Sequence, residues 1–204
     1  MPLAPVRIEA VFFDLGGVIL RTEYEAPREH LAGRLGVSYE DLVRIVFESE
    51  TARQASLGRI GTPQHWEAVA ARLGRPAAEV ATLRDQFFGG DVLDRRLLDF
   101  IRSLRSSRRT GLISNGWPDL RGYITKNRFE DAFDILIISA EVGLMKPDHR
   151  IYELAVQRAE VAPEHSVMID DVLANVAAAK DLGMHGIVFK DTAQVQTELN
   201  ELLR

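Results

Sequence analysis

The chain of 204 residues contains no cysteine, so it has no disulfide framework, no thiolate metal site and no cysteine nucleophile. It has no excess of positive charge either: 25 Lys and Arg stand against 30 Asp and Glu, a formal net charge of -5. That balance argues against nucleic acid or an anionic membrane as the main partner. No apolar run approaches the length of a bilayer span, and the opening MPLAPVRIEA shows neither a signal-peptide core nor a basic amphipathic presequence. The expectation is a cytoplasmic protein, with which the lack of cysteine agrees. Also missing after every apolar run are a GxSxG elbow, a Walker lysine loop and a GxGxxG turn, which disfavours serine-hydrolase, nucleoside-triphosphatase and dinucleotide chemistry. The histidines at positions 30, 65, 149, 165 and 185 show no metal-ligand spacing.

What is present is an ordinary globular composition, 46% hydrophobic and 27% charged. Short runs that are apolar on nearly every residue occur at Ile8 to Phe13, Thr110 to Ile113, Ile135 to Ile138, Ser166 to Ile169 and Gly186 to Phe189. Such runs are expected of strands buried on both faces of a parallel sheet. Amphipathic stretches of helical length lie between them: Asp94 to Ser106, the segment around Ile151 to Ala159, Asn175 to Leu182, and Ala193 to Leu203. The basic stretch Arg102 to Arg109 reads as the end of the first of these, where cations meet the negative end of the helix dipole. Alternating strands and helices predict an α/β fold, a doubly wound, mainly parallel Rossmann-like sheet.

From about Arg21 to Gly90 the alternation stops and the pattern is helical only. Ser38 is the expected cap of a helix over Tyr39 to Ala55, Thr62-Pro63 opens a second and Pro76 a third. The expected division is an α/β core made of 1–20 and 91–204, with a small all-helical segment over 21–90 inserted after the first strand. An insertion at that point emerges where open α/β sheets bind ligands, so it is placed to act as a lid.

The polar residues at the strand ends carry the chemistry. Asp14 ends the first strand, Ser114 and Asn115 the second; Lys146 follows the third, and Asp170 and Asp171 end the fourth. Parallel strands bring these ends to one edge. That set suits phosphoryl transfer: Asp14 as nucleophile, with Lys146 and the Ser114 hydroxyl on the phosphoryl oxygens. Three carboxylates at one mouth would repel a phosphate unless a hard cation sat among them, and charge balance with oxygen donors implies Mg2+.

Four segments, FFDLGGV, LISNG, LMKPD with Lys146, and IDDVLAN, stand in this order over residues 8 to about 190. Together they resemble the haloacid dehalogenase-like hydrolases, most of which are magnesium-dependent phosphatases. The resemblance implies that Asp14 forms an aspartyl-phosphate and that Ser114 and Lys146 hold the phosphoryl group. The rest of the second segment, Asn115 and Gly116, completes the expected substrate contacts. The metal set it implies is Asp14, the backbone carbonyl of Gly16, Asp171 as the better direct ligand and Asp170 close by, with Asn175 in support one helical turn on. The helical segment resembles the small cap of many members. The expected substrate is a small phosphorylated metabolite; oligomeric state is not legible.

One position departs from that pattern. Two residues after the nucleophile, phosphatases of the family usually carry a second Asp that protonates the leaving oxygen and then activates water; here stands Gly16. Losing a general acid and base costs about 10²–10⁴ in rate. The expected enzyme is slow, is selective for good leaving groups, or borrows an acid; Glu23, Tyr24 and Glu25 are the candidates near the same loop, none distinguished by its spacing. An alternative is a catalytically impaired member that binds a phosphorylated ligand or a protein partner. A lesser one is a 2-haloacid dehalogenase, in which an aromatic residue usually replaces the missing Asp. Trp117 is expected to pack against the helical segment, with stacking on a substrate as the alternative, whereas the sequence leaves the facing of His65, Trp66 and Glu67 open.

Overall fold

The computed structural model describes residues 7–203, so positions 1–6 and 204 of the expected core lie outside the described residues. The chain opens with β1 (Ala10–Phe13) and β2 (Leu20–Thr22). Five helices follow: α1 (Ala26–Leu35), α2 (Tyr39–Phe47), α3 (Glu50–Ser56), α4 (Thr62–Arg72) and α5 (Val80–Phe87). Then come β3 (Asp91–Leu93), α6 (Arg95–Leu104), β4 (Arg109–Ser114), α7 (Leu120–Lys126), β5 (Ile135–Ile138), α8 (Ser139–Val142) and α9 (His149–Ala159). The chain ends with β6 (Ser166–Asp170), α10 (Leu173–Asp181), β7 (His185–Val188) and α11 (Thr192–Leu202). Among the described residues no helix is long and apolar enough to cross a membrane.

The sheet order is β5-β4-β1-β6-β7, with every pair parallel. From β1 the chain moves outward to β4 and β5, then returns to lay β6 against the other side of β1. The order therefore reverses between β1 and β6, and in sheets of this kind the crevice for ligands opens at that point, outside the carboxyl ends of the strands.

Side-chain alternation along the strands builds a core on each face. Val11, Phe13, Leu112, Val167 and Ile169 pack with Leu97, Leu98 and Ile101 of α6 and with Val195 and Leu199 of α11. Ala10, Phe12, Ile113, Ile137 and Met168 pack on the other face with Ile151, Tyr152 and Ala155 of α9 and with Ala178 and Ala179 of α10. In the basic stretch at the end of α6, Arg102 pairs with Asp99 and Asp131, and Arg105 with Asp134.

Between β2 and β3 the segment is helical, but Arg21 and Thr22, expected within it, belong to β2, and its interior differs from expectation. A single helix over Tyr39 to Ala55 does not form, because Ser49 takes an extended conformation and accepts from Ala52 N at 3.2 Å, capping α3 as Ser38 caps α2. After Pro76 a single 3-10 turn precedes α5. Four of the five helices, α1, α2, α4 and α5, close on a core of their own, including Leu31, Leu42, Val46, Trp66, Val69, Leu83 and Phe87. At the segment's two ends β2 and β3 pair antiparallel, a two-stranded ribbon absent from the expectation. Its strands have three residues each, too few to show a period. Asp94 ties the ribbon to the sheet domain: it caps α6 through Leu97 N and accepts from Arg21 of β2 and from Thr192 of α11.

Candidate active site

The backbone first brings Asp14 into place. Its N–H continues the β1–β6 ladder, donating to Ile169 O at 2.9 Å, so residue 14 leaves the sheet beside Asp170. The chain then folds tightly back: the N–H groups of Ile19 and Leu20 both donate to Leu15 O, and Gly17 N donates to Leu20 O. Gly17 makes this possible with φ +76°, in the left-handed region. The loop holds its carboxylate as well, since Leu15 N donates to Asp14 Oδ1 at 2.7 Å.

Lys146 reaches the same point from the loop before α9. Its Nζ lies 2.9 Å from Asp14 Oδ1 and 2.6 Å from Asp170 Oδ2, and the residue is 3% exposed. Its backbone is clamped by Asn115 at the end of β4: Lys146 N donates to Asn115 Oδ1 at 2.8 Å, and Asn115 Nδ2 donates to Lys146 O at 2.9 Å. The Lys146-Pro147 bond is cis. Asp170 is fully buried. Its carboxylate also accepts from Val172 N at 2.9 Å and from Asn175 Nδ2 at 3.0 and 3.1 Å. Tyr152 in turn donates to Asn175 O at 2.8 Å, fixing the first turn of α10.

Asp14, Asp170 and Asp171 each present a carboxylate oxygen, all within 4.8 Å of one another. Asp171 is the exposed member, which leaves its carboxylate open to a ligand. Three acids against one ammonium leave the cluster short of positive charge. Burial pushes the Asp14 carboxyl up to about 6; Lys146 pulls it down, and Asp170 adds to the rise. Asp171 is raised too, by burial and by Asp170. This all-oxygen, electron-rich cluster could bind a hard metal ion.

The remaining sequence candidates are distributed as follows. Ser114 is buried at the end of β4. Gly116 accepts from Ser139 Oγ at 3.1 Å, and Gly16 is exposed in the loop after Asp14. Glu23 is drawn to Arg21, and Tyr24 and Glu25 are exposed; no contact among them brings an acid to Asp14. His65 and Trp66 are buried inside the helical segment, and Glu67 is exposed. His65 Nδ1 bonds Thr51 Oγ1 at 3.0 Å, and burial lowers the pKa of the ring. Trp117 leaves the sheet edge and enters the helical core, its ring 4.6 Å from His65 and 5.9 Å from Phe47. Nearby, Asp119 binds Thr62 and Arg84 across the same boundary.

Two supports were not legible beforehand. The Asn115 clamp joins residues 31 apart in sequence, and nothing in either segment marks the pairing. Tyr152 sits in an apolar helix stripe where it reads as core, and only its hydroxyl contact reveals the second role.

Fold and site together are those of an α/β hydrolase with an acidic centre at the switch point of its sheet. The chain belongs to the haloacid dehalogenase-like hydrolases, whose family model matches residues 8–183. It is similar to the sesquiterpene phosphatase astK of Aspergillus oryzae, 27% identical over 197 residues, 96% of each chain. It is also similar to the D-ribitol-5-phosphate phosphatase of Bacteroides thetaiotaomicron, 24% identical and covering 96% of this chain and 98% of that one. Against the longer bifunctional epoxide hydrolase 2 of Rattus norvegicus, 25% identical, 97% of the chain aligns but spans only 39% of that protein. A solved family enzyme from Bacteroides thetaiotaomicron, in complex with magnesium and inorganic phosphate, shares the fold with TM-score 0.74 at 21% identity, covering 92% of this chain and 98% of that one.

Proposed function

We propose that this hydrolase cleaves a small phosphomonoester through Asp14. The observation that carries the reading is the convergence of Asp14, Lys146 and Asp170 at 2.9 and 2.6 Å with Asp171 beside them. In this reading a carboxylate oxygen of Asp14 attacks phosphorus in line with the ester oxygen. The new Asp14 O–P bond forms as the P–O bond to the leaving group breaks. Water then attacks the same phosphorus, the Asp14 O–P bond breaks, and phosphate leaves with the carboxylate restored. Lys146 balances the incoming negative charge and orients the phosphoryl oxygens, and Ser114 is assigned a hydroxyl contact to them. Asn115 holds the Lys146 backbone while this happens.

Asp14, Asp170 and Asp171 suit Mg2+ by their donor chemistry, with the Gly16 carbonyl as a further assigned ligand. When bound, the ion would supply the positive charge that the cluster lacks. Resemblance to a magnesium-bound family enzyme and to two phosphatases supports the assignment. The helices over 21–90 are proposed to act as a cap, anchored at Trp117 and Asp119. Gly16 offers no side chain to protonate the leaving oxygen, so the enzyme is expected to favour leaving groups that need little help. The same glycine favours a second reading, in which the chain binds a phosphorylated ligand without turnover.

The test is phosphate release from a panel of phosphomonoesters, acyl and anomeric phosphates included, with magnesium and with chelator. Turnover that requires magnesium and vanishes in Asp14→Asn supports hydrolysis. Turnover that persists in Asp14→Asn sinks the nucleophile assignment.

A further inference from the structure

Among the described residues the large apolar side chains left exposed are Tyr24, Phe47, Val92, Val172 and Leu173. Tyr24 and Val92 lie on or beside the β2–β3 ribbon, and the other three fall into two patches. Val172 and Leu173 directly follow Asp171, at the start of α10, with 47% and 69% exposure. Phe47 is 46% exposed, and its ring stacks on Trp117 with an interplanar angle of 29°. Trp117 itself stands three residues beyond Ser114, on the same edge of the sheet. One patch follows the end of β6 and the other is reached through Trp117 after the end of β4, and β1, which leads into Asp14, lies between those two strands.

Exposed apolar surface that gathers at a polar centre marks a ligand site more often than a solvent face. The polar demand of a phosphate is met at Asp14, Lys146 and the acids. What flanks that point on both sides is aliphatic or aromatic. The cap arginine that turns toward Phe47, Arg28, is already spent: it pairs with Asp91 at 2.8 Å and donates to Phe87 O.

We infer that the group attached to the phosphate is apolar, and that Phe47, Trp117, Val172 and Leu173 receive it. The substrate class is then an alkyl, aryl or terpenoid-like monophosphate rather than a polyhydroxylated one. The inference rests on the phosphate site proposed above, and its test must be able to fail separately from hydrolysis.

Binding of n-alkylphosphonates meets that condition, because a phosphonate keeps the anion and cannot be hydrolysed. Calorimetry on the full chain with magnesium should show Kd falling about fourfold for each added methylene, the transfer value for one buried CH2. In Leu173→Ser and Phe47→Ser that dependence should flatten, whereas Val92→Ser, on the ribbon away from the patches, should keep it. Leu173 is solvent-exposed, so its variant should fold and carries the test even if Phe47→Ser, whose ring also packs on Phe87 and Phe88, is destabilised; a thermal melt of each checks this. Chain-length-dependent binding without any turnover of the matching phosphates would uphold the inference while sinking hydrolysis. Equal Kd at every chain length would overturn the inference and leave the phosphate site standing. No binding of any phosphonate, methylphosphonate included, would overturn both.

Discussion

Gly17 lies against Asp171 so closely that a β-carbon at position 17 would stand 2.1 Å from Asp171 Oδ2, whereas one on Gly16 would meet nothing within 4 Å. The two adjacent glycines are thus not equivalent. The first is an open position that happens to lack a side chain, and the second is a place where the backbone has to approach a carboxylate of the acidic cluster.

Gly17→Ala should damage the site. The left-handed φ costs roughly 1–2 kcal/mol for a residue with a β-carbon, and the Asp171 carboxylate must swing away. Displacing a metal-facing carboxylate in this way should weaken magnesium binding by about tenfold or more. Magnesium titration followed by calorimetry, alongside a thermal melt, measures both effects. Unchanged magnesium affinity in a folded Gly17→Ala would show that Asp171 is not a ligand.

Gly16→Asp should be tolerated and informative. With no atom in the way, the variant should melt within a few degrees of wild type. If the missing proton donor limits turnover, release of phosphate from poor leaving groups should rise, by up to about 10²–10⁴, and activity toward acyl phosphates should change little. A folded variant with no gain on any alkyl phosphate would mean that proton transfer to the leaving group is not the slow step.

The raised pKa of Asp14 makes a pH prediction for the metal-free protein. Because the folded value, about 6, lies above the ordinary 3.8, folding favours the protonated carboxyl. The associated stability is fully present below the ordinary value and is lost as pH rises through about 6. Asp14→Asn, neutral at every pH, should therefore be the more stable protein near neutrality in chelator, by about 1–3 kcal/mol, or several degrees in Tm for a chain of this size. The gap should close as pH falls toward 4, and magnesium should narrow it by stabilising wild type, with its extra carboxylate ligand, more than Asp14→Asn. Melting curves for the two proteins in chelator across this range are the measurement. Coincident curves throughout would show that Asp14 is not penalised for its charge.

Much of this was legible in the chain because it is locally encoded. The strands of the sheet announce themselves as doubly buried apolar runs, and their burial on both faces follows from the same residues. Asp14, Ser114, Lys146 and the Asp170-Asp171 pair could be gathered at one edge because parallel strands put their carboxyl ends together. The helices between β2 and β3 were likewise visible in their periodicity, although the break at Ser49 and the flanking ribbon were not. A serine there can extend a helix or cap a new one, and packing decides between them.

Only the tertiary structure decided how the gathered residues bind one another. Asn115 grips the backbone of Lys146, Tyr152 fixes Asn175, Gly17 admits Asp171, and Trp117 crosses from the sheet edge into the helical core. Each of these joins segments far apart in the chain, and periodicity and propensity describe only near neighbours. Chain composition and strand order determined that acids and a lysine would meet at the switch point. The closing of the loops around them decided which carboxylate is buried, which stays open, and why the one proton donor expected beside Asp14 could be replaced by a glycine without any steric demand.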